Sequence, residues 1–259
     1  MMAQHVEQTS FRTEHLSRTF SGFRALNDVS IDFPAGGVRT IIGPNGAGKT
    51  TLFNLLSGLV PPSAGRVYFE GRDITSLAPH QRARLGIARS FQITNIFGRL
   101  SVLENVRLAV QAKHDGSASF LLPSASMGDV AASARRILAE IGLSAAAGTR
   151  AENLSHGDQR RLEIGLVLAR EPKVLLLDEP LAGMSPAETQ STVELITRIA
   201  REDAGTQRTV LLVEHDIDVV MAISYTITVM QTGSILAVGT PAEIRANEAV
   251  RRAYLGDLA

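Results

Sequence analysis

The residues with the most explicit chemistry run from Gly43 to Thr51, Gly-Pro-Asn-Gly-Ala-Gly-Lys-Thr-Thr. Gly43, Gly48, Lys49 and Thr50 fit the spacing Gly-x-x-x-x-Gly-Lys-Thr, which has a mechanical reading. Gly43, Gly46 and Gly48 let the backbone bend until its N–H groups point inward, and the start of the following helix adds further donors. Together Gly43, Pro44, Asn45, Gly46, Ala47, Gly48, Lys49, Thr50 and Thr51 form a cradle for anionic phosphate oxygens. Lys49 reaches the outer phosphates as a point charge. Thr50 offers a hydroxyl to a magnesium ion, which takes few protein ligands and keeps several waters. Four fixed positions match by chance in a chain this long about one time in a hundred, so an accidental Gly-rich turn is the weaker reading.

Four further polar residues stand at or just past predicted strand ends. Asp178 closes the apolar run Val174-Leu175-Leu176-Leu177. It should emerge at the same sheet edge as the phosphate loop and hold magnesium through the ion's water shell. Glu179, next in line, can orient and deprotonate a water for attack on a γ-phosphate. His215 follows the run from Val210 to Val213 and can touch a terminal phosphate. Gln92 follows Ile87 to Phe91 and can sense the metal or the attacking water. Alone, Asp-Glu-Pro after a strand is more often a turn, and a lone histidine there is more often structural; the upstream phosphate loop gives them their chemical reading. A fifth element is Leu154-Ser155-His156-Gly157-Asp158-Gln159-Arg160-Arg161. Its small Ser-x-Gly opens a helix whose unpaired N–H groups make a second phosphate-binding end. Standing alone it would be an ordinary N-cap on Ser155 or Asp158.

These residues need elements that bring them to one sheet edge. Val38 to Ile42 reads as a buried strand running into the loop, and Leu52, Leu55 and Leu56 give the next segment an apolar helical face that Pro61-Pro62 closes. Val29, Ile31 and Phe33 alternate with polar residues, as does Arg66 to Glu70, which predicts half-buried antiparallel strands. Residues 1–10 read as a loose tail, 79–86 as a short helix, and Ile87 to Gln92 as a strand. Ser101-x-x-Glu104 is a capping box for a helix to about Gln111. Lys113 to Met127, rich in Ser, Ala and Gly, reads as a loop. Val130, Ala134, Ile137, Leu138 and Ile141 recur at helical spacing until Gly142. Residues 93–157 therefore read as a helical insertion. A helix from Asp158 ends before Pro172. Lys173 to Asp178 and Thr209 to Val213 are continuous apolar runs, as in strands buried on both faces. Ser185-Pro186-Ala187-Glu188 and Thr240-Pro241-Ala242-Glu243 are capping boxes with proline at the first helical position. Strands alternating with helices predict an α/β fold with a mainly parallel sheet and ligands at the strands' carboxyl ends.

Composition narrows the classes. The 259 residues suit a single domain, 1–259, with a smaller subdomain inside it, and 44% are hydrophobic, enough for a substantial core. Lys+Arg and Asp+Glu are both 26, so nothing favours nucleic acid or an anionic membrane surface as the main partner. Cysteine is absent, which excludes disulfides and thiolate metal sites and fits a reducing compartment. The start MMAQHVEQTS lacks the pattern of a signal peptide, and no apolar run is long enough to span a bilayer. A cytoplasmic chain is expected, and any membrane process it serves needs other subunits to do the spanning.

The ordered set resembles the nucleotide-binding subunits of ATP-binding cassette (ABC) transporters: phosphate loop, glutamine loop at Gln92, Leu-Ser-x-Gly signature, Leu-Leu-Leu-Asp-Glu-Pro and switch histidine His215. The resemblance covers nearly the whole chain. It implies a P-loop NTPase core with an antiparallel β subdomain and an inserted α-helical subdomain. It implies ATP with Mg2+ as cofactors, Phe20 stacked on adenine with Phe23 as a less suitable stand-in, and ATP hydrolysis coupled to transport. Two chains, identical or sister subunits, would face head to tail, each ATP lying between Gly43–Thr51 of one and Ser155 to Gly157 of the other. The insertion and Gln92 would meet transmembrane permease subunits on the inner face of the membrane, served in turn by an external solute-binding protein.

Closer still, Arg89-Ser90-Phe91-Gln92, Arg160-Arg161-Leu162-Glu163-Ile164, Val213-Glu214-His215-Asp216 and the ending Arg252-Ala253-Tyr254-Leu255-Gly256 resemble ATPases of branched-chain amino-acid and related amide or urea importers. The ending also occurs in lipopolysaccharide-export ATPases, and a cofactor-assembly cassette ATPase is a third reading. Two positions depart from the family pattern Leu-Ser-Gly-Gly-Gln: His156 stands at the first glycine and Asp158 at the glutamine. The expectation is that Asp158 caps the helix start with its carboxylate turned from the nucleotide. The aspartate that usually closes the loop after Glu179 falls near Ser185, to which the capping box gives a structural job.

Overall fold

The computed structural model describes residues 9–90, 96–114, 124–201 and 208–255. They form two compact units. The first comprises residues 1–87, 173–179 and 196–259; the second comprises 88–172 and 180–195.

In the first unit, β1 (Thr9–Phe20) and β2 (Phe23–Pro34) form an antiparallel hairpin, and β1 pairs on its other side with β4 (Ala64–Phe69) and so leads to β5 (Arg72–Asp73). The sheet order is β2-β1-β4-β5. The alternation of Val29, Ile31 and Phe33 turns one face of this sheet into the core, where Phe11 meets Phe69 with ring centroids 5.3 Å apart. The expected tail gives way to β1 at Thr9, and residues 1–8 lie outside the described residues.

The second sheet has the order β10-β9-β3-β8-β7-β6. Its members are β3 (Gly37–Ile42), β6 (Ile87–Arg89), β7 (Val174–Asp178), β8 (Thr209–Val213), β9 (Thr226–Gln231) and β10 (Ser234–Gly239). β3 is parallel to β8 and β9, and β7 to β8, whereas β10 returns antiparallel to β9. Adjacent side chains along β3 go to opposite faces. Ile41 joins a cluster with Leu52, Phe53, Leu55 and Leu56 of α1 (Lys49–Ser57), whereas Ile42 joins Val220 of α7 (Ile217–Ile223) and Ile244 of α8 (Pro241–Ala246). Burial on both faces explains why these strands read as unbroken apolar runs. The β9–β10 hairpin has no counterpart in the sequence reading. Its signal is Thr232-Gly233, both at positive φ, between two β-rich runs.

Pro61-Pro62 does not close α1. The helix ends at Ser57, and Gly58 at φ 79° caps it, its N–H donating to the Leu55 carbonyl at 3.2 Å. Arg82 of α2 (Pro79–Arg84) completes that end. Its fully buried guanidinium donates to the carbonyls of Leu55 at 2.5 Å, Leu56 at 2.8 Å, Leu77 at 3.0 Å and Thr75 at 3.0 Å. Burial pushes its pKa down to about 10, so the cation is held by carbonyl dipoles.

The second unit is mainly helical. α3 (Val102–His114), α4 (Ser124–Glu140) and α5 (His156–Leu168) bury Val106 and Val110, Ala134, Ile137 and Leu138, and Leu162 and Ile164, and Ile141 is buried just past the end of α4. Ser101 Oγ accepts from the Glu104 amide at 3.1 Å as expected, but the Glu104 carboxylate goes to Arg107 instead of back to the chain. The loop expected from Lys113 to Met127 is helical at both ends, since α3 continues to His114 and α4 begins at Ser124. Residues 115–123 lie outside the described residues. Among the described residues, no helix is long and apolar enough to cross a membrane.

Arg82→Ala removes one buried donor group from four carbonyls. Its expected cost is about 3 kcal/mol in urea unfolding, the scale of lost charge-assisted hydrogen bonds with acceptors left buried.

Candidate functional site

The register of the second sheet sets the site. Ile41 lies opposite Val213, and Val213 opposite Asp178, so β3, β7 and β8 finish at one edge. The loop from Gly43, the pair Asp178-Glu179 and His215 all leave from that edge, as parallel α/β sheets place their ligands.

The phosphate loop leads into α1 with Gly48 at the N-cap, φ 99°, and no side-chain cap. A Cβ there would stand 2.7 Å from the Ala25 carbonyl oxygen, so only glycine fits. The helix therefore presents its first N–H groups with no side-chain acceptor, and an anion is the natural partner. The Ala47 amide donates to the Pro44 carbonyl at 3.1 Å, and the Ala47 carbonyl accepts from Gly233 of the β9–β10 turn at 3.0 Å. The unforeseen hairpin thus braces the loop.

Lys49 is buried, and its Nζ donates to the carbonyls of Gly43 at 2.7 Å and Pro44 at 3.1 Å. Burial lowers its pKa, and the negative charges of Glu179 and Asp178 oppose that shift. Thr50 is exposed on the first helical turn, and Asp178 is buried at the end of β7. An ammonium held by loop carbonyls, an uncapped helix start and a hard-oxygen donor set of hydroxyl and carboxylate suit a phosphate with a divalent cation.

Glu179 occupies the left-handed region at φ 49°, which costs a non-glycine residue roughly 1–3 kcal/mol. Its amide donates to the Val213 carbonyl at 2.9 Å, and its Oε1 lies 2.7 Å from His215 Nε2. The His215 amide donates to Glu214 Oε2 at 3.1 Å, and Asp216 immediately caps α7 by accepting from the amides of Asp218 and Val219. His215 is thereby pinned between a strand end and a helix cap. Gln92 and Phe91 lie outside the described residues. Phe20 and Phe23 face each other at the β1–β2 tip; Arg18 lies 4.5 Å over the Phe20 ring, which is 39% exposed against 68% for Phe23.

The signature lies in the second unit at the start of α5. Ser155 is the N-cap, its Oγ accepting from the Asp158 amide at 3.1 Å. Asp158 does not cap, which corrects the expectation: its carboxylate pairs with Arg161 one turn along, because Ser155 already takes the capping bond. Gly157 donates its amide to Glu188 Oε1 at 3.0 Å. Glu188 belongs to the Ser185 capping box of α6 (Pro186–Ala200), and no local residue pattern signals that the same carboxylate also reaches the signature.

Residues 26–182 match the family described as ABC transporter. The chain belongs to this family. Its last residues, 234–259, match the family described as branched-chain amino acid ATP-binding cassette transporter. The ABC chain is 41% identical over 247 residues to the high-affinity branched-chain amino acid transport ATP-binding protein LivG of Salmonella typhimurium, covering 93% of this chain and 96% of that one. It is similar to the structure of the ADP conformation of an ATP-binding cassette of an ABC transporter, with TM-score 0.82 and 31% identity over 96% of this chain and 99% of that one. It is also similar to a dimeric post-hydrolysis state of an ATP-binding cassette bound to ADP and Pi, with TM-score 0.74 and 26% identity over 89% and 98% of the two chains. This ABC chain binds nucleotide and hydrolyses ATP.

Two substitutions probe the two ends. Lys49→Ala should lower ATP turnover by about a hundredfold or more, the scale of a lost charge-stabilising donor, with an unchanged far-UV circular dichroism spectrum. Wild-type turnover in the folded variant would remove Lys49 from the site. Asp158→Gln breaks only a partly exposed i,i+3 pair, so turnover should change by less than about threefold. A large gain in steady-state turnover would mean that the carboxylate repels phosphate.

Proposed function

We propose that this ABC importer ATPase serves branched-chain amino acids or related amino acids and amides, working as a pair of cassettes closed around ATP and Mg2+. The observation that carries the mechanism is the strained Glu179, hydrogen-bonded to His215 beside the Lys49 loop. The match of residues 234–259 and the likeness to LivG support the solute class, and favour it over the lipopolysaccharide-export reading.

The residues divide the work. The amides from Gly43 to Thr51 and the Lys49 ammonium hold the outer phosphates. Thr50 and Asp178, with Gln92, would hold Mg2+, which when bound neutralises phosphate charge. Glu179 takes the proton of the attacking water, its carboxylate held 2.7 Å from His215 Nε2. His215 orients that carboxylate and offers its ring to the terminal phosphate. Phe20 stacks on the base. Ser155 and Gly157 face the ATP held by the other chain, a second copy or a sister subunit. That arrangement draws support from the dimeric ADP- and Pi-bound cassette that this chain resembles. The helical region 93–157, as the subdomain nearest the permease, would pass closure to transmembrane subunits on the cytoplasmic face of the membrane, and an external binding protein would select the solute.

Glu179→Gln separates binding from chemistry. It keeps the size and removes the base together with one negative charge. ATP affinity should persist or rise, while turnover falls by about a hundredfold or more. Slow hydrolysis should let a closed dimer accumulate, visible in size-exclusion chromatography with Mg-ATP and absent in Glu179→Gln/Lys49→Ala. Unimpaired hydrolysis would remove Glu179 from the mechanism, and a monomer with ATP bound would call for a sister subunit.

A further inference from the structure

The mechanism gives no part to Glu188. Glu188 Oε2 accepts from the Ser185 amide at 3.0 Å and from the Ser185 hydroxyl at 2.8 Å, while Oε1 accepts from the Gly157 amide at 3.0 Å. These bonds, those of Ser185 foremost, hold its pKa down to about 2, and the Ser155 side chain adds to them. The carboxylate lies directly against the signature. A Cβ built on Gly157 would meet the Glu188 Cγ and Oε1 at 2.7 Å. A side chain at position 157 would therefore have to push the Glu188 carboxylate aside even before any ligand arrives. A Cβ on Gly183 would lie 3.7 Å from His156 Cε1, so the loop before Ser185 also abuts the helix start.

A helix start attracts an anion, and here the chain supplies its own. The amide that Glu188 occupies is the one that the proposed function gives to a phosphate. A carboxylate and a phosphate oxygen cannot share one N–H: both are acceptors, and both are negative. We infer that Glu188 is a resident anion at the signature helix, and that the terminal phosphate of the ATP on the facing chain must replace it on the Gly157 amide before two cassettes close. This rests on the reading that Ser155 and Gly157 face a second chain's ATP. It also gives Ser185 a part in closure: the released carboxylate stays tethered by the Ser185 hydroxyl, so the loop that follows Glu179 is loaded or unloaded as Gly157 changes partner.

The inference predicts a sign. Glu188→Gln keeps the capping box, because glutamine caps as glutamate does, but removes the competing charge. In the Glu179→Gln background, both Glu188→Gln and Glu188→Ala should lower the Mg-ATP concentration for half-maximal dimerisation, by about tenfold for the loss of one charge-assisted competitor. An unchanged or raised requirement in both folded variants, with thermal unfolding confirming the fold, overturns the inference and leaves Glu188 as a structural clamp. The contact itself is read without nucleotide by amide hydrogen exchange across residues 155–160. Exchange at Gly157 should speed up in Glu188→Ala, and unchanged exchange also overturns it. If the Glu179→Gln parent stays monomeric with itself and with a sister subunit, the facing-chain reading fails first and takes this inference with it.

Discussion

Everything at the nucleotide end depends on bringing one lysine out of water beside two carboxylates. Lys49 could not be buried without compensation, since desolvation works against its charge. The compensation has two parts: the carbonyls of Gly43 and Pro44, and the field of Asp178 and Glu179. Both exist only if the sheet is in register. A slip of one residue in β7 would turn Asp178 to the other face and replace a buried apolar side chain with a carboxylate. The continuous apolar runs of β3, β7 and β8 are thus more than core filling. They lock the register that places the charges.

The same edge stores strain. Glu179 holds a left-handed backbone because its amide is tied to Val213 and its side chain to His215, while β7 and β8 are fully buried on both faces. A residue in that conformation survives only where its surroundings over-determine it. Asp216, by capping α7, fixes the backbone on the far side of His215 and so belongs to that over-determination. Replacing either neighbour would loosen the aim of Glu179 before touching any phosphate.

Much of this was legible in the residues. The phosphate loop, the strand ends and the two Pro-containing capping boxes carry local signals, because each answers a backbone need within four residues. What escaped the sequence depends on contacts between distant segments. Arg82 reads as one more charge on a short helix, yet it closes α1 from 26 and 27 positions away. The β9–β10 hairpin was hidden by an apolar stretch that could equally be a buried helix segment, and its brace on Ala47 has no local trace. Asp158 was misassigned because two residues in one turn could each cap, and only packing decides that Ser155 does. Glu188 satisfies its own capping box, so nothing in its neighbourhood hints at a second partner 31 residues back.

The two helix starts then make an instructive contrast, since both offer the same electrostatics. α1 opens on Gly48, which has no side chain to accept from the first amides, and around Gly46 there is open space for a Cβ. α5 opens on Ser155, which takes one amide, and Glu188 takes another. The first end is left for an external anion to satisfy, whereas the second is already satisfied from within. Under the proposed function this difference orders events. A single chain can load nucleotide on α1 at once, because no internal group has to leave. The signature end engages only when a phosphate on another chain out-competes a tethered carboxylate, which makes the second contact weaker than the first and therefore reversible. A cassette whose two ends were equally open would hold its partner as tightly as its nucleotide, and a machine that must open after each hydrolysis has reason to keep them unequal.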